Sequence, residues 1–242
     1  MNSVAEVTNY NLLLDISKME RPFVFINAAM SADGKISTVE RVQTRISGRE
    51  DRDRVDALKA GSDAIMVGIG TVLADNPALI VKSKERREDR KRAEKDENPI
   101  RIVVDSNART PIDAEILNKG SGKRIIAVSK RAIVADVDRL SEKAEIIVCG
   151  REEVDLKKLL DLLWHRDVER LMVEGGATLN WSLVSQGLVD EIYIYLGNII
   201  IGGEHAPTLV DGTGFVTDMA KLELLSAKKM DKGIILQWRV RY

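Results

Sequence analysis

The sequence is poor in the side chains that bind transition metals and form disulfides. Its 242 residues include one cysteine, Cys149, and two histidines, His165 and His205. A single cysteine excludes an intramolecular disulfide framework, and a zinc site of the usual ligand types would have to be mostly carboxylate. The sequence therefore predicts neither a disulfide scaffold nor a metal enzyme, and we expect no metal cofactor.

Long apolar runs and an excess of one charge are also absent. No apolar stretch approaches the roughly 18 residues of a membrane-spanning helix, and the N-terminus lacks the basic-then-apolar pattern of a signal peptide. Lys and Arg number 37 against 38 Asp and Glu, so no overall field attracts nucleic acid or an anionic membrane. We expect a cytoplasmic globular protein whose partners include neither nucleic acid nor a membrane.

Short apolar runs recur along the chain and predict buried β-strands. They are FVFINAAM (23–30), DAIMVG (63–68), IRIVVD (100–105), RIIAVS (124–129), EIIVCG (145–150) and RLMVEGG (170–176). Helical patterns lie between several of them. A capping-box pattern at Ser47 and Glu50 predicts a helix that ends at Gly61, and DLKKLLDLLWHR (155–166) has amphipathic leucine spacing. This alternation predicts an α/β fold with a mixed, mostly parallel sheet that is flanked by helices.

Three segments depart from this alternation. Near the C-terminus, KLELLSAKKM and IILQWRV are joined by Asp231, Lys232 and Gly233, which predicts an antiparallel hairpin. Residues 1–20 predict an N-terminal extension, in which YNLLLDISKM would form a short helix. A run of mixed charge with almost no apolar residue predicts a solvated insertion at about 83–98. We expect residues 21–242 to form one domain around this insertion.

Two glycine-containing turns follow predicted strands. In VGIGTVLADNP (67–77), Gly68 and Gly70 precede a helical turn, where unpaired backbone N–H groups favour a phosphate. Position 73 is Leu where a dinucleotide-binding fingerprint has its third glycine, so a standard Rossmann site is not expected. By itself this stretch fits a tight turn as well as a nucleotide site.

The second turn, VEGGATLN (173–180), favours the nucleotide interpretation. Its glycine pair also stands at a strand end, and Thr178 and Asn180 can cap a helix or bind a phosphate. Ligands bind at the carboxyl ends of strands in open α/β sheets, so the two turns are predicted to form two sides of one crevice. A nucleophile elbow, a P-loop and a Tyr-Lys pair are all missing from the sequence, and Tyr193 and Tyr195 are predicted to be strand residues. Hydride transfer fits this scarcity of acid–base groups, because a nicotinamide carries the difficult chemistry.

Six motifs, taken in order, resemble one family. They are SADGKI (31–36), RISGRED (45–51), VGIGTVLADNPAL (67–79), IRIVVDSNARTP (100–111), LMVEGGATLNWSL (171–183) and LVDEIYIY (188–195). The sequence resembles, over residues 22–241, the pyrimidine reductases of riboflavin biosynthesis, the family of the RibD C-terminal domain. It is most similar to their archaeal stand-alone form, the 2,5-diamino-6-ribosylamino-4(3H)-pyrimidinone 5′-phosphate reductases. The zinc deaminase fused to this domain in bacterial relatives has H-x-E and P-C-x-x-C motifs, which the sequence lacks.

The resemblance implies a dihydrofolate-reductase-like fold, a homodimer and NADPH as the hydride donor, with NADH as the alternative donor. The implied reaction turns the ribosylamino side chain of the pyrimidinone phosphate into ribitylamino. Three alternatives stay open at this point. They are the same reduction of the deaminated uracil substrate, a dihydrofolate-type reductase, and a nucleotide-binding protein without turnover.

The same resemblance assigns site residues by their positions in the motifs. Cofactor contacts are expected from Thr71, Asp75, Ser106, Gly175, Gly176, Ala177, Thr178, Leu179, Ala29 and Arg45. Substrate contacts are expected from Asn27, Gln43, Lys59, Leu79, Lys82 and Glu174, and the two lysines would meet the sugar phosphate as point charges. Glu174, Lys59 and Asp33 are the candidates for catalytic proton movement, although Asp33 fits equally a role in shaping its turn with Gly34.

Overall fold

The protein is described here from a computed structural model, in which residues 21–42 and 44–242 are described. The strands are β1 (Phe23–Met30), β2 (Ala64–Gly68), β3 (Ile100–Val104), β4 (Arg124–Val128), β5 (Glu145–Val148), β6 (Arg170–Val173), β7 (Glu191–Leu196), β8 (Lys221–Met230) and β9 (Gly233–Arg241). The helices are α1 (Arg49–Ala60), α2 (Ile69–Asp75), α3 (Lys84–Arg92), α4 (Glu115–Asn118), α5 (Val134–Ser141), α6 (Leu156–Trp164) and α7 (Ala177–Ser185). The N-terminal extension, its expected helix and Gln43 lie outside the described residues.

The nine strands form one sheet in the order β5-β4-β3-β2-β6-β1-β7-β9-β8. Pairing is parallel from β5 to β7 and antiparallel from β7 through β9 to β8. Strand β1 lies near the middle of the sheet, with Ile26 opposite Val173 of β6 on one side and Ile192 of β7 on the other. The structure therefore confirms the mixed, mostly parallel sheet and the C-terminal hairpin that the sequence predicts.

Both faces of the parallel part of the sheet are buried. On β1, Val24 and Ile26 pack into one apolar cluster with the leucines of α6 and α7, while Phe23 and Phe25 pack into a second cluster on the opposite face. Helices α2, α4 and α5 contribute to the second cluster, and Val55 of α1 packs against it. Burial on both faces explains why these strands have nearly continuous apolar sequences.

The helix predicted from Ser47 begins later and is capped differently. Helix α1 starts at Arg49, and its N-cap residue, Gly48, makes no side-chain cap. Instead the carboxylate of Asp231, in the turn between β8 and β9, accepts hydrogen bonds from the backbone N–H groups of Glu50 (3.2 Å) and Asp51 (3.0 Å). The predicted capping box is therefore wrong, because a group distant in sequence takes over its role.

Part of the mixed-charge stretch at 83–98 is helical. Helix α3 lies within it, and Arg86 forms ion pairs with Asp53 and Asp56 of α1 at 2.8 and 2.9 Å. Arg90 is buried and donates to the backbone carbonyl of Ala60 at 2.7 Å. These contacts hold the charged stretch along α1, which carries residues of the candidate site described below.

None of the helices in the described part of the chain has the length and apolar character needed to cross a bilayer.

Candidate active site

A cleft of about 790 Å³ opens at the carboxyl ends of the central strands. Its walls include Asn27, Ala28 and Ala29 of β1, Gly68 at the end of β2, and Glu174 directly after β6. This is the edge of an open α/β sheet at which ligands bind, because the loops that follow the strands leave a crevice between them. The topology therefore places the cleft at the edge of the sheet that the sequence predicts for a ligand.

The two glycine turns lie against each other in this cleft. The N–H of Gly68 donates to the carbonyl of Gly175 at 3.0 Å, and the N–H of Gly176 donates to Oγ1 of Thr71, also at 3.0 Å. Gly175 has a φ of +93° and Gly176 a φ of +22°, and a Cβ on Gly176 would lie 3.1 Å from Oγ1 of Thr71. Glycine at both positions lets the chain turn into α7 while Thr71 approaches its backbone. The two turns that the sequence predicts as two sides of one crevice are thus hydrogen-bonded to each other.

The N-terminus of α7 faces the same cleft. Ala177, Thr178 and Leu179 begin this helix and line the cleft wall, and no side chain from the described residues caps the helix at its Gly176 N-cap. The first N–H groups of a helix have no intrahelical acceptor, and the helix dipole adds positive potential there. The arrangement offers hydrogen-bond donors to the phosphate of a ligand.

An ion pair crosses from α1 to the end of β6. The ammonium of Lys59 lies 2.9 Å from Oε2 of Glu174, and each side chain is 15% exposed. Glu174 lines the cleft, whereas Lys59 reaches it only through this contact. The carboxylate is therefore held in place at a position where it can meet a ligand.

A second cationic side chain of α1, Arg54, contacts β1, which lies next to β6 in the sheet. Arg54 donates from Nη2 to Oδ1 of Asn27 at 2.8 Å and from Nε to Oδ1 of the buried Asp51 at 2.8 Å. The sequence analysis did not select Arg54 or Asp51. The only local signal for them is their spacing of three residues on one helix, which is typical of an ordinary surface ion pair.

Further polar groups line the cleft beyond the glycine turns. Ser106 follows β3, and its Oγ accepts from the N–H of Val154 at 3.1 Å. Arg109 and Arg131 lie on the wall of the same cleft, and their ion-pair contacts with Asp105 and Glu152 are long, at 3.6 and 3.7 Å. Sequence reasoning missed both arginines, although Arg109 lies within the motif that supplied Ser106.

Asp75 ends α2 and also faces the cleft. Partial burial raises the pKa of its carboxyl. A carboxylate at this place can accept hydrogen bonds from the hydroxyl groups of a ligand. Thr71, Asp75, Ser106, Ala29 and residues 175–179 are thus brought together, as the resemblance implies for a cofactor site.

The other expected site residues lie elsewhere. The side chains of Arg45 and Lys82 are exposed and do not line the cleft, and the backbone N–H of Lys82 donates to Asp56 at 2.5 Å. Leu79 is buried in the second apolar cluster with a φ of +51°. Gln43 lies outside the described residues. The structure therefore assembles one part of the expected substrate set, Asn27, Glu174 and Lys59, whereas Leu79 and Lys82 lie away from the cleft.

Asp33 also lies outside the cleft wall. Its two carboxylate oxygens accept from the backbone N–H groups of Ile201 (3.0 Å) and Gly202 (2.7 Å). Hydrogen bonds from the Ser31 side chain and from these N–H groups lower the pKa of Asp33 to about 2. Asp33 therefore fastens the turn after β1 to the loop after β7, which matches the turn-shaping alternative.

Most of the chain is similar to proteins of one family. A family profile described as the RibD C-terminal domain matches residues 22–236. A protein of Archaeoglobus fulgidus named 2,5-diamino-6-ribosylamino-4(3H)-pyrimidinone 5′-phosphate reductase is 54% identical over 196 residues, which cover 81% of this chain and 89% of that protein. A protein of the same name from Methanothermobacter thermautotrophicus is 44% identical over 223 residues, covering 91% and 99%.

The fold of this chain is similar to that of a solved structure. The pyrimidine reductase-like protein from Corynebacterium diphtheriae superposes with a TM-score of 0.79, at 19% identity, over 91% of this chain and 92% of that one. At this identity the likeness concerns the fold alone, and the α/β class with a mixed, mostly parallel sheet that the sequence predicts is confirmed. Because the profile matches nearly the whole chain and two relatives exceed 40% identity, the chain belongs to the family of the RibD C-terminal domain.

Proposed function

We propose that the protein is an NADPH-dependent oxidoreductase of riboflavin biosynthesis. It reduces the ribosylamino side chain of 2,5-diamino-6-ribosylamino-4(3H)-pyrimidinone 5′-phosphate to ribitylamino. Support comes from family membership and from the two relatives that bear the name of this reductase. The observation that carries the proposal is the position of the Glu174–Lys59 pair, beside the two joined glycine turns in one cleft.

The cleft residues fit a nicotinamide dinucleotide. The N-terminus of α7 offers backbone donors for a phosphate, and space is open where a Cβ of Gly175 would stand, so a ligand can approach the backbone closely. Thr71, Asp75 and Ser106 would hold the remaining parts of the cofactor. When bound, the reduced nicotinamide supplies the hydride that the reaction consumes.

The proposed preference for NADPH is supported by Arg109 and Arg131. Both side chains are more than half exposed on the cleft wall, and their long carboxylate contacts leave the guanidinium groups available to a ligand. NADPH differs from NADH by one phosphate group on the adenosine ribose. A guanidinium presents its donors in a fork that matches phosphate, so this end of the cleft would favour the phosphorylated cofactor.

The chain's own residues hold the substrate and move its protons. When the ribose ring opens, the bond between C1′ and the ring oxygen breaks, the ring oxygen gains a proton, and the exocyclic nitrogen loses one as the imine forms. Reduction at C1′ then requires a proton on that nitrogen. Glu174 would accept the nitrogen's proton and return it after hydride transfer, and the ring oxygen would take its proton from water. Lys59, at 2.9 Å, would keep the carboxylate in position.

The direct test is an assay of the purified protein with each donor and each acceptor. We expect loss of NADPH absorbance with the 2,5-diamino pyrimidinone phosphate, slower turnover with NADH, and no turnover with dihydrofolate. The deaminated uracil phosphate is included to determine which pyrimidine is preferred. Turnover of dihydrofolate alone would overturn the proposal, and binding of NADPH without turnover of any acceptor would favour a non-catalytic nucleotide-binding protein.

The proposal also includes a homodimer, a cytoplasmic location and a single reductase domain. The outer strand β8 exposes Leu222 and Leu224 at an edge of the sheet, which is a surface that a second copy can cover. Residues 21–242 would act as one reductase domain, because all nine strands lie in one sheet. Light scattering on the purified protein measures the oligomeric state, and the mass of one chain at micromolar concentration would contradict the dimer.

A further inference from the structure

The side-chain amide of Asn27 has a fixed orientation at the cleft. Its Oδ1 accepts the hydrogen bond from Nη2 of Arg54 at 2.8 Å. A guanidinium has only donors, so the amide atom that it meets must be the oxygen. The NH2 group of Asn27 therefore occupies the other position, and no acceptor among the described residues bonds to it. Because Asn27 lines the cleft, these two N–H donors are available to a ligand.

Arg54 is itself held firmly. Asp51 is 1% exposed, and its Oδ1 lies 2.8 Å from Nε and 2.7 Å from Nη2 of Arg54. The backbone N–H of Asp51 is in turn bound by Asp231 at 3.0 Å. If Arg54 moved away, a buried carboxylate would lose its partner, which is costly. The guanidinium is thus clamped between Asp51 and Asn27.

The sheet register places this amide beside the carboxylate assigned to proton movement. Ile26 of β1 is paired with Val173 of β6, so the next residues along the two parallel strands, Asn27 and Glu174, are neighbours. Helix α1 contacts both, through Arg54 and Lys59. One helix therefore orients a pair of hydrogen-bond donors and a proton acceptor side by side in the cleft.

We propose that Arg54 is a positioning residue, which acts through Asn27. It keeps the Asn27 amide turned so that the NH2 group donates to an oxygen of the substrate's sugar. This inference rests on the proposed function, in which the sugar ring opens and its ring oxygen gains electron density. A donor aimed at that developing charge stabilises the transition state more than the ground state, because its hydrogen bond strengthens as the charge grows.

The amide orientation is tested with Asn27→Asp. This variant keeps an acceptor for Arg54 and replaces the NH2 group by an oxygen, which removes the donors but also adds a negative charge beside Glu174. Asn27→Ala removes the donors without adding a charge and is measured beside it. We expect kcat/KM for the pyrimidinone phosphate to fall roughly 10- to 100-fold, while the dissociation constant of NADPH changes by less than about twofold. Unchanged kcat/KM would overturn the assignment. That result is expected if the amide oxygen of the wild-type Asn27, and not its NH2 group, already faces the cleft.

The positioning role is tested by a double-mutant cycle of Arg54→Met and Asn27→Ala. If Arg54 acts through Asn27, the double variant has nearly the kcat/KM of Asn27→Ala alone, whereas independent effects multiply. Arg52→Met, an exposed arginine of the same helix, is the matched control and should keep wild-type activity. If Arg54→Met does not fold, Arg54→Lys takes its place in the cycle, since it retains a cation for Asp51. A double variant with the kcat/KM of Asn27→Ala alone supports the role, and losses that multiply overturn it.

Failure of this inference is distinguishable from failure of the proposed function. A wild-type protein that does not oxidise NADPH with the pyrimidine phosphate overturns the proposed function. Equal turnover by the wild type and Asn27→Asp overturns only the amide assignment. Multiplying losses in the double-mutant cycle overturn only the role of Arg54.

Discussion

At the scale of single residues, the cleft contains one carboxylate whose charge is compensated and whose position is fixed. Glu174 is paired with Lys59 at 2.9 Å, and both side chains are mostly buried. An ionisable group at a strand end in such a place needs a partner, because an unpaired buried charge is strongly unfavourable. The pair satisfies this requirement and leaves Glu174 on the cleft wall.

The first prediction concerns this carboxylate. Glu174→Gln keeps the shape of the side chain and a hydrogen bond to Lys59 but removes the proton acceptor. We expect kcat to fall roughly 10²- to 10⁴-fold, with the affinity for NADPH nearly unchanged. Steady-state kinetics and a cofactor titration measure the two effects. Glu142→Gln, an exposed glutamate next to α5, is the control. Unchanged turnover in Glu174→Gln would show that the carboxylate has no part in the reaction.

The second prediction concerns cofactor choice. Arg131→Met removes a guanidinium from the cleft wall, so under the proposed function the extra phosphate of NADPH would lose a charge-assisted hydrogen bond. We expect the KM for NADPH to rise roughly tenfold or more and the KM for NADH to stay the same. Lys130→Met removes a neighbouring exposed charge and should leave the selectivity unchanged. Equal changes for both cofactors would place Arg131 away from the phosphate.

At the scale of elements, α1 connects the C-terminal hairpin to the cleft. Its first turn is capped by Asp231, and its last turn carries Lys59. Gly48 is required for this contact, since a Cβ there would lie 2.2 Å from Cγ of Asp231. The hairpin therefore contributes to the site without lining it, because it fixes the helix that positions two of its side chains.

The third prediction tests this connection. Asp231→Ala removes the acceptor for two N–H groups at the start of α1. We expect the melting temperature to fall by roughly 2–4 °C, as for the loss of a helix cap in a domain of this size. Turnover should fall as well, because α1 carries Arg54 and Lys59. Asp138→Ala, an exposed substitution on α5, should leave the melting temperature and the activity unchanged. A wild-type melting temperature in Asp231→Ala would contradict the capping role.

At the scale of the whole molecule, several carboxylates join distant elements and have lowered pKa values. Hydrogen bonds from Ser31, Ile201 and Gly202 hold the pKa of Asp33 at about 2, and backbone N–H groups of α1 lower the pKa of Asp231. Because the folded-state pKa lies below the unfolded-state value, the stabilisation is present above the unfolded pKa of about 4. It is lost as the pH falls through the folded-state pKa.

The fourth prediction follows from the lowered pKa values of these carboxyl groups. The melting temperature should be nearly constant between about pH 7 and 5 and should fall increasingly as the pH drops from about 4 towards 2. Asp33→Asn removes one of these titrating groups, so its decline with acid should be shallower than that of the wild type. Calorimetry over this pH range measures both slopes. Parallel slopes in the two proteins would show that Asp33 does not contribute.

Part of the fold and part of the candidate site could be predicted from the sequence. The apolar runs located the six parallel-strand segments quoted above, and the hairpin was visible from its turn and apolar alternation. The motifs located Thr71, Asp75, Ser106 and residues 175–179, which the structure gathers in one cleft. These features are local, because strand periodicity and turn chemistry depend on residues that are close in sequence.

Only the tertiary structure determined which charged and polar side chains contact each other. It joins Lys59 to Glu174 and Arg54 to Asn27, caps α1 with Asp231, and leaves Arg45 and Lys82 outside the cleft. Most of these contacts join residues far apart in the chain, and they exist because parallel strands and their crossover helices bring distant segments to one edge of the sheet. The sequence by itself determined the strands and the family, whereas the strand order determined the electrostatics of the site.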